Sequence, residues 1–461
     1  MAPVIWWIRR DLRIQDNQAL SAALQSGAEV LPVFILDPIL LSSPAAGRQA
    51  FLFEGIKNLR RDIQAFGGDL CIRAGDPLEA LTTLLSATGA EKIFCEEDFT
   101  PYSRQRDARI SRHLPLTHAG FPTVLHPADT KKDDGSPYTV FTPFSKKWKA
   151  LPVPSPVSLN PGGRFAQLPA QVNAPLPDTD RNTIFSASED SARKALEEFL
   201  NDQVYSYSED RNRLDIDGTS RLSPAFRFGI VSGRKAAWSV RQSVSNKQPA
   251  KDSKGGEVWL NELIWRDFYA SILYHFSTVL KEAFQPRYRS IDWRNAPSEL
   301  ERWKYGQTGF PVVDAGMRQL LQLGWMHNRA RMITASFLVK DLLVNWQEGE
   351  AWFMQNLVDG DPASNNGGWQ WTAGVGTDAA PYFRIFNPTT QGIRFDPSGN
   401  YIRTWVPELA AVPDEYIHQP EKMPITEQQK YGCILGKSYP LPMVDHSLAR
   451  VRTMAEYKAT A

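Results

Sequence analysis

The chain has 461 residues, 42% hydrophobic and 22% charged, an ordinary globular composition that excludes a disordered, fibrous or staple-dependent small protein. Lys plus Arg number 52 against 51 Asp plus Glu, so the net charge of +1 excludes a molecule that gathers polyanions over its whole surface, and any nucleic-acid site is local. Cys71, Cys95 and Cys433 are far apart without CxxC spacing, which argues against a disulfide framework or a structural zinc and fits a reducing, intracellular compartment.

From the N-terminus, Val4 to Ile8, Val30 to Leu36, Leu70 to Arg73, Lys92 to Cys95 and Thr123 to Leu125 read as strands, with helical patterns between them. This alternation predicts a mostly parallel, doubly wound sheet, whose ligands usually sit beyond the carboxyl ends of the strands. The turn Arg9-Arg10-Asp11-Leu12-Arg13 is therefore either an anion or ligand contact or a solvated polar loop. No run approaches a membrane span or an export signal. Between Leu151 and Asp180 seven prolines, at 152, 154, 156, 161, 169, 175 and 177, predict an extended connector. The expected division is an α/β domain over 1–130, a linker over 131–190 and a helical domain over 191–461. Ser186-Ala-Ser-Glu189 reads as a capping-box start to a helix through Ala192 to Leu200.

Dinucleotide, P-loop, zinc-protease, serine-hydrolase and EF-hand signatures are absent, and the seven histidines are scattered. Of 14 tryptophans, most follow the linker, where they serve a helical core or stack on bases or a flavin. Three segments stand out. Gly218-Thr-Ser-Arg-Leu-Ser-Pro224 sets hydroxyls and an arginine at a helix start, where a phosphate or an ordinary cap fits. Trp259, Glu262 and Arg266 share one helical face, with Trp265 beside them. Asp359-Gly-Asp361-Pro-Ala-Ser-Asn365-Asn-Gly-Gly-Trp369-Gln-Trp371 combines acids, amides, indoles and glycines suited to close approach of a flat ligand. Arg227, Arg234, Lys235, Arg241, Lys247, Lys251 and Lys254 form a basic stretch, either a phosphate guide or a solvated face.

Those segments, with Trp7-Ile-Arg-Arg-Asp-Leu-Arg13, Gly324-Trp-Met-His-Asn-Arg-Ala-Arg-Met332 and Asp378-Ala-Ala-Pro-Tyr-Phe-Arg384-Ile-Phe-Asn-Pro388, occur in the order found in the DNA photolyase and cryptochrome family, which the chain resembles over essentially its full length. The blocks look most like the bacterial class I cyclobutane pyrimidine dimer branch. The resemblance implies an N-terminal doubly wound antenna domain joined to a helical domain that holds FAD, active as FADH⁻. It implies a carbon–carbon lyase: the excited flavin gives an electron to a flipped-out dimer in DNA, the cyclobutane opens, and the electron returns. The alternative is a cryptochrome-type blue-light receptor without repair; Asn365 and the chain end at Ala461 favour repair.

By that resemblance Tyr207, Thr219, Ser220, Leu222 and Ser223 hold the FAD phosphates, and Trp259, Glu262 and Arg266 line the cofactor. Arg331 and Asp359 form an ion pair beside the ring system, Asp361 touches ribose or ring, and Asn365 faces N5. Glu262, Trp265, Asn328, Met332 and Trp371 meet the dimer, while Arg211, Arg329 and Arg384 meet the DNA backbone. Trp369, Trp346 and Trp293 match the indoles that reduce oxidised flavin under light, with Trp303 a nearby substitute for Trp293. Arg10 and Asp98 resemble antenna contacts, although Thr100 replaces a usual acid, and point to 8-hydroxy-5-deazaflavin or FMN rather than methenyltetrahydrofolate. The expected partner is DNA carrying cyclobutane pyrimidine dimers, with a cytoplasmic monomer and no membrane, metal or obligate protein partner.

Overall fold

Strand β1 (Val4–Ile8) is apolar at every position because it is the middle strand of a five-stranded parallel sheet and is buried throughout. It lies between β2 (Val30–Leu36) and β4 (Lys92–Cys95), with β3 (Cys71–Ala74) and β5 (Leu116–His118) at the edges, in the order β3-β2-β1-β4-β5. Helices α1 (Gln18–Gln25), α2 (Ala46–Ala65), α3 (Pro77–Thr88) and α4 (Pro101–Ser111) supply the crossovers. This computed structural model describes residues 2–167, 173–179, 181, 183–245, 254–381 and 384–460.

Two sequence expectations for this region need correction. Thr123 to Leu125 is buried but is no strand; the amides of Val124 and Leu125 donate to the Asp267 carboxylate instead of a ladder. The fifth strand is Leu116–His118, a half-buried edge with little apolar signal. At the other correction, Ser188 alone caps α6 (Glu189–Asn201) by accepting from the Ser191 amide. Glu189 does not reach back to close a box; its carboxylate accepts from the amides of Ile14 and Gln15.

The proline-rich stretch runs along this sheet. Arg164 O accepts from the Val30 amide, the Ala166 amide returns a bond to Val30 O, and Val157 O accepts from the Asp16 amide. Pro169 and Asp180 lie outside the described residues. Helix α5 (Phe141–Ala150) precedes the stretch. From Glu189 onward the described residues carry helices and no strand. Those that matter below are α7 (Ser223–Arg227), α8 (Gly233–Ser245), α9 (Lys254–His275), α10 (Asn328–Ser336), α11 (Trp346–Asn356) and α12 (Pro362–Ala373).

The chain packs as two compact units. The first comprises Met1–Tyr205 and Ser220–Ser277; it holds the sheet, the proline-rich stretch and α9. The second comprises Ser206–Thr219 and Thr278–Ala461, and its core gathers Trp303, Trp346, Phe353 and Trp369 with aliphatic side chains.

Candidate functional site

The arginine-rich turn after β1 closes on internal carboxylates. Arg9 donates to both oxygens of Asp107, Arg13 to Glu96 at 2.6 Å, and Arg10 sits 3.7 Å from Asp98. Asp11, fully buried, accepts from the Arg9 amide and the Asn17 side chain. The anion-contact reading is therefore corrected for Arg9 and Arg13, whose charges are matched inside the fold. Burial pushes Glu96 up to about 7, against the pull of Arg13. Burial also pushes Asp98 up, but Arg10 and Arg9 outweigh it and leave the group below its ordinary value. Arg10 and Asp98, the two expected antenna contacts, are thus brought together, while Thr100 caps α4 by accepting from the Ser103 amide.

The basic stretch is also not one surface. Arg234 is buried against Asp16, and Arg241 lies over the Trp148 ring at 5.3 Å. Lys247 and Lys251 lie outside the described residues.

In the first unit the hydroxyl-rich loop ends in α7, which has Pro224 in its first turn and no side-chain cap, so Ser223 opens the helix without capping it. Arg221 has φ 49°, a left-handed bend. Leu222 is buried, and the Trp259 Nε1 donates to Ser220 Oγ at 3.4 Å while its ring packs on Phe199. Two expected cofactor contacts therefore meet. Along α9, Glu262 is half-buried one turn from Trp259. Arg266 donates to the carbonyls of Pro122 and Phe226. Asp267, which sequence reasoning passed over, accepts from Val124, Leu125 and Trp148 Nε1; burial pushes it up to about 6. Trp265 has the Phe141 ring stacked parallel upon it, centroids 3.6 Å apart.

In the second unit Arg331 and Asp359 form the expected ion pair at 2.8 Å, the carboxylate 3% exposed. Arg331 Nε also donates to Met326 O, which fixes the guanidinium. The other Asp359 oxygen, Oδ1, is buried with no hydrogen-bond partner. Asp361 starts α12 by accepting from the amides of Ala363 and Ser364, and Pro362 follows as a first-turn residue. Asn365 Nδ2 donates to Glu350 O, and its Oδ1 receives no hydrogen bond among the described residues. A Cβ on Gly368 would meet nothing within 4 Å, so this stretch of α12 presents bare backbone. Glu350 was not legible as a site residue. It accepts from Asn366 Nδ2 at 3.2 Å, and burial pushes it up to about 7.

Tyr207 is buried under the Arg211 guanidinium, 5.7 Å from its ring. Asn328 and Met332 touch along one face of α10, and Trp371 is half-buried near the end of α12. Arg329 donates to Asn212 and lies 4.4 Å over Phe395, whereas Arg384 is exposed. Thr219 is half-buried; Tyr382 and Phe383, from the same motif as Arg384, lie outside the described residues.

Trp369 is buried with Trp346 in one core, and Trp293 packs against that core half-exposed. Among ring pairs of the described residues, the indole that pairs with Trp369 is Trp303, T-shaped at 6.1 Å. Close packing of α11 on α12 depends on Gly349, where a Cβ would collide with the Trp369 ring.

The buried Asp359 Oδ1 without a donor, in one motif with the half-buried Asn365 amide and the open Gly368 backbone, fits a flat ligand that carries ring N–H groups, as FAD does. The donors and acceptors present therefore suit the cofactor that the motifs imply. Among the described residues no cluster of three His, Cys, Asp or Glu is placed to hold a metal, and no helix is long and apolar enough to cross a membrane.

Comparison with known proteins agrees with this arrangement. Residues 4–159 match the family model described as DNA photolyase, and residues 259–459 match the FAD binding domain of DNA photolyase. The chain is 40% identical over 474 residues to a deoxyribodipyrimidine photo-lyase of Alkalihalophilus pseudofirmus, covering 98% of this chain and 97% of that one. A bacterial class III photolyase from Agrobacterium tumefaciens superposes with TM-score 0.91 at 34% identity, covering 100% of this chain and 98% of the other. A cryptochrome of Synechocystis superposes with TM-score 0.90 at 28% identity, covering 98% of each.

Proposed function

The chain belongs to the DNA photolyase family, and from that premise we propose which of its side chains perform the reaction. The activity is light-driven repair of cyclobutane pyrimidine dimers, a carbon–carbon lyase reaction. FAD, once bound and reduced, supplies the excited one-electron donor.

The observation that carries the site assignment is the buried, unpartnered Asp359 Oδ1, in the same motif as the half-buried Asn365 amide that Glu350 O orients. One N–H of Asn365 donates to Glu350 O, which orients the amide and leaves its Oδ1 to meet the ligand. An acceptor at that position favours a protonated ring nitrogen, the N5–H of reduced flavin. Arg331 pairs with the buried Asp359 and orients its carboxylate. Tyr207, Thr219, Ser220, Leu222 and Ser223 hold the phosphates, with Ser220 steadied by Trp259. Asp361 serves first as the cap that aims α12, and through it Asn365. Arg266 acts by holding the Pro122 and Phe226 carbonyls in place next to α9.

Towards DNA, Trp265 and Trp371 stack on pyrimidines of a flipped-out dimer, a lesion that costs less to extrude than a paired base. Glu262 hydrogen-bonds the dimer carbonyl region, and Asn328 and Met332 line its flank. Arg211, Arg329 and Arg384 bind backbone phosphates. Trp369, Trp346 and Trp293 pass electrons inward under light, with Trp303 adjoining Trp369. Asp98, kept ionised beside Arg10, accepts a ring N–H of an 8-hydroxy-5-deazaflavin or FMN antenna. We assign the protein to the cytoplasm, as a monomer acting on the chromosome.

The test is illumination of chemically reduced, FAD-loaded protein with an oligonucleotide carrying one thymine cyclobutane dimer. Dimer loss only in the light is expected; no loss with FAD bound would favour the receptor reading. Glu262→Ala is expected to keep dimer-DNA binding and to lower repair per absorbed photon severalfold, about 1 kcal/mol of lost radical-anion stabilisation. An unchanged quantum yield removes Glu262 from the chemistry.

A further inference from the structure

One contact in the first unit has no place in the roles assigned so far. The phenyl ring of Phe141, the first residue of α5, lies parallel on the indole of Trp265 with centroids 3.6 Å apart and an interplanar angle of 0°. Free aromatic pairs prefer offset or edge-to-face arrangements, so a full overlay needs both rings to be held from elsewhere. Both are. Phe141, Phe144 and Trp148 fall on one face of α5. Trp148 donates from Nε1 to Asp267 of α9 at 2.9 Å, and Phe144 packs on Phe268 of α9 at 5.2 Å. Phe268 in turn meets Trp265 edge-on at 5.6 Å. Trp148 and Phe144 are fully buried, whereas Phe141 and Trp265 are half-exposed, so the aromatic ladder surfaces at this pair.

We propose that Phe141 is a positioning residue for lesion recognition: it occupies one π face of Trp265 and, with Phe268 and Tyr269 packed on the same indole, fixes its plane, so that a pyrimidine of the flipped-out dimer stacks on the exposed part of the ring in one orientation. The proposal rests on the reading of Trp265 as a dimer contact. An indole open on both faces has rotamer freedom to lose when a base arrives; one already clamped has less, and the saving appears as affinity for the stacked base alone. Undamaged DNA, held through backbone phosphates, gains nothing from it.

The experiment is dark binding of the full, FAD-loaded chain to a fluorescent oligonucleotide with one thymine cyclobutane dimer and to the same oligonucleotide without it. Phe141→Leu, Phe141→Tyr, Trp265→Ala and the Phe141→Leu/Trp265→Ala double variant are compared with the parent. Stacking is worth about 1–3 kcal/mol per base, and loss of part of it gives about tenfold weaker dimer binding for Phe141→Leu, with undamaged DNA unaffected. Phe141→Tyr is expected to stay within about twofold of the parent because the flat face is retained. The double variant should bind dimer DNA no more weakly than Trp265→Ala. If the leucine protein does not retain FAD, Phe141→Met takes its place. A dimer preference unchanged in Phe141→Leu while Trp265→Ala abolishes it overturns the inference and spares the Trp265 assignment. A preference unchanged in Trp265→Ala overturns both. Equal loss for damaged and undamaged DNA, or failure of Tyr to rescue, marks Phe141 as a packing residue only and also overturns the inference.

Discussion

The turn after β1 and the segment from Asp359 to Trp371 are comparably dense in polar groups in the sequence, and the structure uses them in opposite ways. In the turn, each arginine finds a carboxylate inside the fold: Arg9 with Asp107, Arg10 with Asp98, Arg13 with Glu96. In the later segment, among the described residues, Asp359 keeps one buried oxygen without a donor, Asn365 Oδ1 receives no hydrogen bond, and Gly368 leaves backbone bare. A closed network stabilises its surroundings; an open one is complete only when a ligand is added. Density of charge alone does not distinguish them, and the difference lies in which atoms remain unsatisfied.

The comparison breaks most visibly at Arg13. Its pair with Glu96 is 5% and 6% exposed, and removing one partner of such a pair typically costs about 3–5 kcal/mol. Arg13→Ala is therefore expected to lower the chemical-denaturation midpoint strongly while repair per folded molecule is preserved; loss of repair without loss of stability would place the turn in the active site. Next comes Gly349→Ala, whose new methyl collides with Trp369. Overpacking of this kind costs about 1–3 kcal/mol and, by displacing the indole, should slow light-driven reduction of oxidised flavin while chemically reduced protein still repairs. Flavin bleaching under illumination measures it, and unchanged bleaching would separate Trp369 from the electron path.

Glu350 gives a pH signature. Burial raises it from its ordinary 4.5 to about 7, so the folded state holds its proton more tightly than the unfolded chain. That contribution to stability is fully present below about pH 4.5 and is lost as pH rises through about 7. Glu350→Gln removes the loss, so its melting temperature should exceed the parent's above pH 7, with the gap narrowing towards lower pH; a pH-independent gap contradicts the burial argument. The smallest effect is expected at exposed Arg384. Arg384→Ala should weaken damaged and undamaged DNA alike by a few-fold and reduce the slope of log affinity against log salt by about 1.

What could be read from the sequence follows from how local each signal is. Strands β1, β2 and β4 were legible to the residue because parallel strands covered on both faces are continuous apolar runs. Leu116–His118 was not, since a short edge strand has almost no apolar pattern, and Thr123 to Leu125 misled because its burial is explained by Asp267, more than 140 residues later. The Arg331–Asp359 pair was legible because both residues sit in recognisable motifs. Glu350 and Phe141 sit in ordinary-looking helical sequence, and their importance arises from neighbours that only the folded chain supplies: Asn365 and Asn366 for one, Trp265 for the other.

The interleaving of the two units bears on how the protein emerges from the ribosome. The sheet is synthesised early, yet the carboxylate of Asp267 that takes the Val124 and Leu125 amides, and the α9 surface on which Trp148 docks, arrive only with residues 220–277. At about 5–20 residues per second, that segment trails Tyr205 by several seconds to roughly a quarter of a minute. During that interval the nascent first unit has an unsatisfied apolar flank, including the Trp148 indole, so this is the period in which it is most exposed to chaperone capture or aggregation.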